Sequence, residues 1–395
     1  MLQTVNEYDC IIVGGGNVGA ATACSLAQAG HKVAIIDKQQ APQWQPEDAL
    51  NLRVTALNLA SIDFLTQINV WARVVAMRAH PYHSMRVWEQ GGGAKIDFHA
   101  SETSHSRLGV IVENHVLLTA LNQEIDEQPL ITRHMGCSLQ SCSSITEQTL
   151  LVECDDGSKL TAPLVLGADG QNSTLREFMQ ADFIFTDYHQ RGIVAIIESE
   201  QFHQDTAWQC FGAHGPLALL PITEQQCSIV WSVPDSFCEQ LQAMSDAEFN
   251  QQLTSAFEHK LGALSIVSQR QSFPLRGAQS QHYVSHRMAL LGDAAHIVHP
   301  LAGLGLNLGL ADAMCLSACI KNSDRPLGSA RVLRQYEMAR KADNAVMQKA
   351  LEGIDHLFRS DQQWVRSLRH VGVNLTDSQS ALKQFFMQKA LGVGL

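Results

Sequence analysis

The sequence has no C-x-x-C pair, no G-x-S-x-G turn, no apolar run of membrane-spanning length and no surplus of positive charge. Each absence removes a class. Ten cysteines are scattered through 395 residues, so neither a zinc ribbon nor a disulfide framework is suggested, and reduced free thiols are the expectation. A serine hydrolase built on a nucleophile elbow lacks its signature. No stretch approaches the ~18 apolar residues of a bilayer span. The opening MLQTVNEYDC has neither the basic nor the apolar region of a secretory signal, so the chain is expected to be cytoplasmic. With 28 Lys+Arg against 39 Asp+Glu, a net charge of −11 provides no basic footprint for nucleic acid. Aromatic residues are few, at 6%, but hydrophobic residues make up 45% of a chain long enough for more than one core.

Against these absences stands a β-α-β unit, YDCIIVGGGNVGAATACSLAQAGHKVAIIDK. An apolar run over 8–13 meets Gly14-x-Gly16-x-x-Gly19, a small-residue helix follows to Ala29, and a second strand ends at Asp37, 23 residues after Gly14. Gly14 permits the tight turn, Gly16 lets backbone approach a pyrophosphate, and Gly19 lets helix and strand pack closely. The helix N-terminus favours the phosphate charge, and Asp37 can accept from a ribose hydroxyl. The glycines Gly91–Gly93 lie between short strands and read as a hairpin turn without chemistry. His282 and His286 are four apart but have no acidic or cysteine partner to complete a metal set.

Two further strand ends carry acids. APLVLGADGQNSTLREFM reaches Asp169-Gly170 and then Ser173 and Arg176. LLGDAAHIVHPLAGLGLNLGLADA stops at Gly292-Asp293 and continues into Gly303, Gly305, Asn307 and Gly309 at every second position. Three such turns suit a long, two-ended cofactor. Glycines at 303, 305 and 309 give a loop poor in side chains that opens a helix starting near Leu306. Asn307 would cap that helix. His296 reads as a packing residue, and His299 as one that can face substrate.

Together these motifs resemble the three fingerprints of the single-component flavoprotein aromatic hydroxylases. The resemblance implies an α/β protein: a Rossmann-like FAD-binding domain of the para-hydroxybenzoate hydroxylase type, an interleaved antiparallel β-sheet substrate domain, and a helical C-terminal region. The corresponding segments are 1–82, 100–182 and 276–325 for FAD, 83–99 and 183–275 for substrate, and 326–395 for the C-terminal helices. It also implies that Asp293 bonds the ribityl chain of FAD and that Asp169-Gly170 lies near the pyrophosphate. Arg53, in LNLRVTALN, resembles an arginine that begins a helix and reaches FAD. Gly292, Gly303, Gly305, Leu306 and Asn307 would line the flavin: glycines at 303, 305 and 309 would free room for its flat ring, the helix would aim its positive end there, and Asn307 could touch the ring. The Pro300 carbonyl would polarise a substrate hydroxyl. Many relatives have Gln where this chain has Leu304. NADPH or NADH would reduce the flavin from a transient surface site, and molecular oxygen would be co-substrate.

The segments AMRAHPYHSMRVWE, VENHVLLTAL, RQYEMARKADNAVMQKALEGIDHLF and LKQFFMQKALGVGL are similar to those of the proteobacterial ubiquinone-biosynthesis hydroxylases. That likeness implies a prenylated quinol substrate, with the last ring hydroxylation the nearest match and other ring positions open. Short alternating strands at 84–99 and 183–233 would wall the pocket, and Trp208, Phe211, Leu217, Leu219 and Trp231 are read mostly as core. Leu382, Phe385, Phe386 and Leu391 recur at near-helical spacing, with Lys383 and Lys389 off the stripe. This tail can meet the inner membrane face, a partner in a ubiquinone-biosynthesis complex, or the protein itself. A homo-oligomer is left open. The competing readings are a flavin dehydrogenase that inserts no oxygen and a non-catalytic flavoprotein.

Overall fold

A computed structural model of the chain describes residues 5–92, 95–298, 303, 305–359 and 391–392. Its centre is a six-stranded sheet in the order Val284–Ser285, Met288–Leu290, Val165–Gly167, Cys10–Val13, Val33–Asp37 and Ile131–Met135. Only the first pairing is antiparallel. Cys10–Val13 is buried throughout, as is Val33–Ile36. Strands covered on both faces read as unbroken apolar runs rather than alternating ones. Between them the helix Asn17–Gln28 buries Ala20, Ala21, Ala23, Cys24 and Leu26, small side chains that let it lie close.

This strand order brings the three acid-bearing turns together. Met288–Leu290, Val165–Gly167 and Cys10–Val13 are consecutive and parallel, so all three turns leave the same edge of the sheet. Backbone bonds hold the register: Gly14 N donates to Ile36 O at 2.8 Å, Ala168 N to Val13 O at 2.7 Å and Leu291 N to Gly167 O at 2.8 Å.

A nine-stranded sheet forms the second layer, including Phe183–Ser199, Thr206–Gly212, Gly215–Pro221, Gln226–Pro234 and Gln271–Ser280. One face packs on helices Asp235–Ala243 and Asp246–Ala256 through Trp88, Trp208, Trp231, Phe249 and Phe257. The other face turns toward the parallel sheet's domain. Trp208, Leu217, Leu219 and Trp231 are core, as expected. Phe211 is the exception: alternation puts it on the opposite face, against Val298 and Leu308.

The expected antiparallel sheet has one departure, because Thr206–Gly212 runs parallel to Ser84–Glu89. No short turn joins these strands, so nothing local dictates their direction. The 84–99 hairpin itself is antiparallel, with Gly91 and Gly92 at its turn. Gln271–Ser280 runs across the expected boundary at 275 and pairs with His296–Ile297, joining the second sheet to the third turn.

The C-terminal region contains the thirty-residue helix Ala330–Arg359. Leu391 is buried, and Gly392 lies against Asn58 and Ala60. Leu382, Phe385 and Phe386 lie outside the described residues. No helix among the described residues is long and apolar enough to cross a membrane. All ten cysteines are free.

Candidate functional site

At the shared strand edge the three glycines of the first turn do different work. Gly14 has φ +101°, and a Cβ there would meet the Ala168 carbonyl oxygen at 2.4 Å. A Cβ on Gly19 would lie 1.9 Å from the Gly14 carbonyl oxygen, so helix and turn close only on glycine. Gly16 is different: a Cβ there would meet nothing within 4 Å. It caps Asn17–Gln28 without any side-chain hydrogen bond, so no capping side chain satisfies the first-turn N–H groups. The protein's own packing does not require glycine at 16, whereas an approaching anion would.

Asp37 ends the neighbouring strand. Its Oδ2 accepts from Gly15 N at 2.6 Å and its Oδ1 from Gln39 N at 2.7 Å. The carboxylate thus shapes the turn, and each oxygen keeps a second lone pair for a hydroxyl.

Arg53 does not begin a helix. It precedes the strand Val54–Leu57, and the next helix starts at Leu59 with Asn58 as its cap. The β-branched Val54-Thr55 pair prefers the extended backbone that pairs with Gly109–Glu113. The guanidinium is exposed yet close enough to Asp293 to stabilise its charge.

In the second turn, Asp169 Oδ2 accepts from Thr174 N at 2.7 Å, while its Oδ1 is buried without a partner. Arg176, also buried, donates to Ala294 O at 2.9 Å and Gln171 O at 2.6 Å. It thereby ties the second turn to the third.

Asp293 has accessible surface, yet protein surrounds it closely enough that desolvation raises its carboxyl above the usual range, against the opposing pull of His296 and Arg53. Such a carboxyl stands in a crevice rather than on a convex surface. The turn holding it rests on a buried network outside the sequence motifs. Asp312 is fully buried and accepts from Gly292 N at 2.9 Å and from Arg340 Nε at 2.7 Å, and lies 2.6 Å from His296 Nε2. Arg340 NH2 donates to Asn344 Oδ1 at 2.9 Å, and Tyr336 OH to Leu290 O at 2.7 Å. His296 therefore has a satisfied structural role, as read. Burial raises the Asp312 pKa, but the adjoining His296 and Arg340 outweigh it and hold the carboxyl below its usual range. A signal was present: Leu308, Asp312 and Leu316 recur at every fourth position, placing one acid on an apolar helix face.

The glycine loop divides. A Cβ on Gly305 would meet nothing within 4 Å, and one on Gly303, at φ +64°, only Ala56 N at 3.5 Å. Gly309 would instead strike Val18 at 2.6 Å, so it serves the packing of Gly305–Lys321 rather than a ring. Asn307 neither caps its helix nor offers its side-chain oxygen outward. That oxygen accepts from Asn58 N at 3.0 Å and Ser61 Oγ at 2.8 Å, and its amide donates to Ala56 O at 2.8 Å. It pins the helix start to the Val54–Asn58 segment. Leu306 packs its side chain against the core. His299, Pro300 and Leu304 lie outside the described residues.

These features form a site for a long anionic cofactor with a flat end. Uncapped N–H groups and an unfilled glycine at 16 suit a pyrophosphate. Asp293 suits a polyhydroxyl chain, and Gly303 with Gly305 leaves room for a ring. The unpartnered Oδ1 atoms of Asp169 and of Asn17, the first helical residue, lack the partners buried oxygens need. The residues fit FAD. Two acid-and-ligand clusters, His80–His203–Asp205 and Cys137–Cys154–Asp156, lie elsewhere. In the former, both His203 nitrogens already bond backbone, Nε2 to Thr223 O at 2.6 Å and Nδ1 to Asp205 N at 3.1 Å.

Residues 7–350 match the FAD binding domain family. The chain is 34% identical to the 3-demethoxyubiquinol 3-hydroxylase of Escherichia coli (strain K12), covering 99% of this chain and 100% of that protein. It is 31% identical to the ubiquinone hydroxylase UbiL of Rhodospirillum rubrum, over 97% of this chain and 89% of that one. The solved p-nitrophenol 4-monooxygenase PnpA from Pseudomonas putida DLL-E4 shares the fold with a TM-score of 0.78, at 17% identity and with both chains covered to 100%.

Proposed function

This chain belongs to the FAD-binding domain family of flavoprotein monooxygenases, and from that premise we propose that it hydroxylates the ring of a prenylated demethoxyubiquinol in ubiquinone biosynthesis. FAD, reduced by NAD(P)H, supplies the activation of molecular oxygen for insertion into an electron-rich ring. The protein's own contribution is binding, orientation and exclusion of water. Gly14, Gly16 and Gly19 shape a turn whose helix holds the pyrophosphate. Asp37 meets the ribose, and Asp169 lies beside the phosphates. Asp293, fixed through Gly292 by Asp312, takes the ribityl hydroxyls, and Arg53 supplies a positive charge beside it. Gly303 and Gly305 give the ring its space, with backbone at Leu306 and Asn307 beneath the helix's positive end.

The observation that carries the cofactor assignment is the meeting of three separate sequence turns at one sheet edge. The demethoxyubiquinol step is supported by full-length likeness to a relative of that name. A lipid-tailed substrate also calls for access to a bilayer surface or a partner that delivers it. Purified protein should release FAD on denaturation and convert a short-tailed demethoxyubiquinol to a product one oxygen heavier. Conversion should require both NAD(P)H and air. Oxidation of NAD(P)H with no oxygen in the product under any condition would favour a dehydrogenase instead.

A further inference from the structure

The face of the nine-stranded sheet that looks toward the crevice consists of rows set by strand register. One row, with Ala207, Leu220 and Ile196, packs on Ala56 and Ile111. Another includes Phe211, which packs on Val298 and Leu308 beside the third turn. Between them runs Val87–Gln209–Ala218–Val230–Val194, each paired with the next. Gln209 shares its face with Ala207 and Phe211, because the intervening Trp208 and Cys210 belong to the opposite core.

The flanking rows are sealed, but the middle one is not. Val87, Ala218 and Val230 keep partial accessibility although they sit on interior strands. That pattern describes a gap between the sheet and the cofactor-binding domain, floored by small apolar side chains. Gln209 is the only polar member of these five. It is 6% exposed, and among the described residues its amide makes no hydrogen bond. The amide is not among the fully buried unpartnered groups, so it opens onto the gap, and a ligand that displaces water there must supply its hydrogen bonds.

We propose that Gln209 is the specificity-determining residue for the quinol ring, its amide bonding a ring oxygen while the ring lies over Ala218 and Val230. This rests on the hydroxylase reading. The amide both donates and accepts, so it suits a hydroxyl flanked by a methoxy group and fixes which ring carbon faces the reacting centre. Ala218, the smallest side chain of the row, leaves the thickness that a flat ring needs.

The test uses the FAD-loaded full chain with a short-tailed demethoxyubiquinol, and Gln209→Leu, which keeps the volume and removes the hydrogen bonds. Expected is a loss of kcat/KM of roughly ten- to hundred-fold. More NAD(P)H should be consumed per hydroxylated product, with FAD content and melting temperature unchanged. Calorimetric binding of the corresponding oxidised quinone should weaken in parallel. Ala218→Leu should abolish that binding while retaining FAD. A Gln209→Leu enzyme with unaltered kcat/KM, coupling and quinone affinity overturns the assignment. If the wild type neither binds nor hydroxylates the quinol, the functional reading fails first and takes this inference with it. Wild-type turnover with an indifferent Gln209→Leu variant refutes the inference alone.

Discussion

Replacing Asp312 with alanine should damage the third turn from below. The carboxylate is fully buried and serves the Gly292 amide, Arg340 and His296 at 2.6–2.9 Å. Its removal leaves the Arg340 guanidinium, among the described residues, with the partly exposed Asp343 as its remaining acid and strands the Gly292 N–H. Breaking a buried pair from one side costs about 3–5 kcal/mol. In a chain of this size that corresponds to a fall in melting temperature of roughly 4–6 °C. The pH dependence has a definite sign. A carboxyl held below its usual range stabilises the fold at pH above its unfolded value and loses that contribution as pH falls through the folded one. Wild type should therefore show a steeper acid limb than Asp312→Ala, with the difference between them narrowing below about pH 4. Thermal unfolding followed by tryptophan fluorescence at several pH values, with flavin content measured in parallel, reads both effects. A variant that melts within about 1 °C of wild type (roughly 1 kcal/mol or less) and keeps full FAD would refute the claim that this network supports the cofactor turn.

Two further substitutions separate ligand from scaffold. Gly16→Ala places its methyl group in open space, so folding should change by about 1 kcal/mol or less. FAD affinity should nevertheless fall at least ten-fold in a fluorescence titration, because the methyl group occupies the pyrophosphate approach; unchanged affinity would remove Gly16 from the site. Asp293→Asn acts in opposite directions on stability and binding. Desolvation raises the Asp293 carboxyl, so its stabilising contribution is complete below the unfolded value and is lost as pH rises through the folded one. At neutral pH the FAD-free Asn variant should thus melt above FAD-free wild type while binding FAD more weakly, and a lower melting temperature would contradict this.

The first βαβ unit was legible in the sequence because Gly19 packs on Gly14 and Asp37 bonds Gly15, all within thirty residues of chain. The other two turns were legible as strand ends, but their adjacency is a property of sheet order. Local signals misled where distant partners decide. Asn307 reads as a cap from its position at a helix start, yet its partners are Ala56, Asn58 and Ser61. Gly309 reads as one more loop glycine until Val18 is seen against it. Arg53 was placed by resemblance on a helix, where strand pairing with Gly109–Glu113 prevails. Asp312 and Arg340, 28 positions apart, meet only through the packing of two helices.

The central claim is that the crevice holding Asp293 binds the flavin for ring hydroxylation in ubiquinone synthesis. Its most direct test is a mass-spectrometric quinone profile of cells lacking the gene, grown in air and complemented with wild type or Asp293→Ala. Accumulation of demethoxyubiquinone, cleared by wild type but not by Asp293→Ala, is the predicted result. A normal ubiquinone profile in the deletion strain, or full rescue by Asp293→Ala, would contradict it.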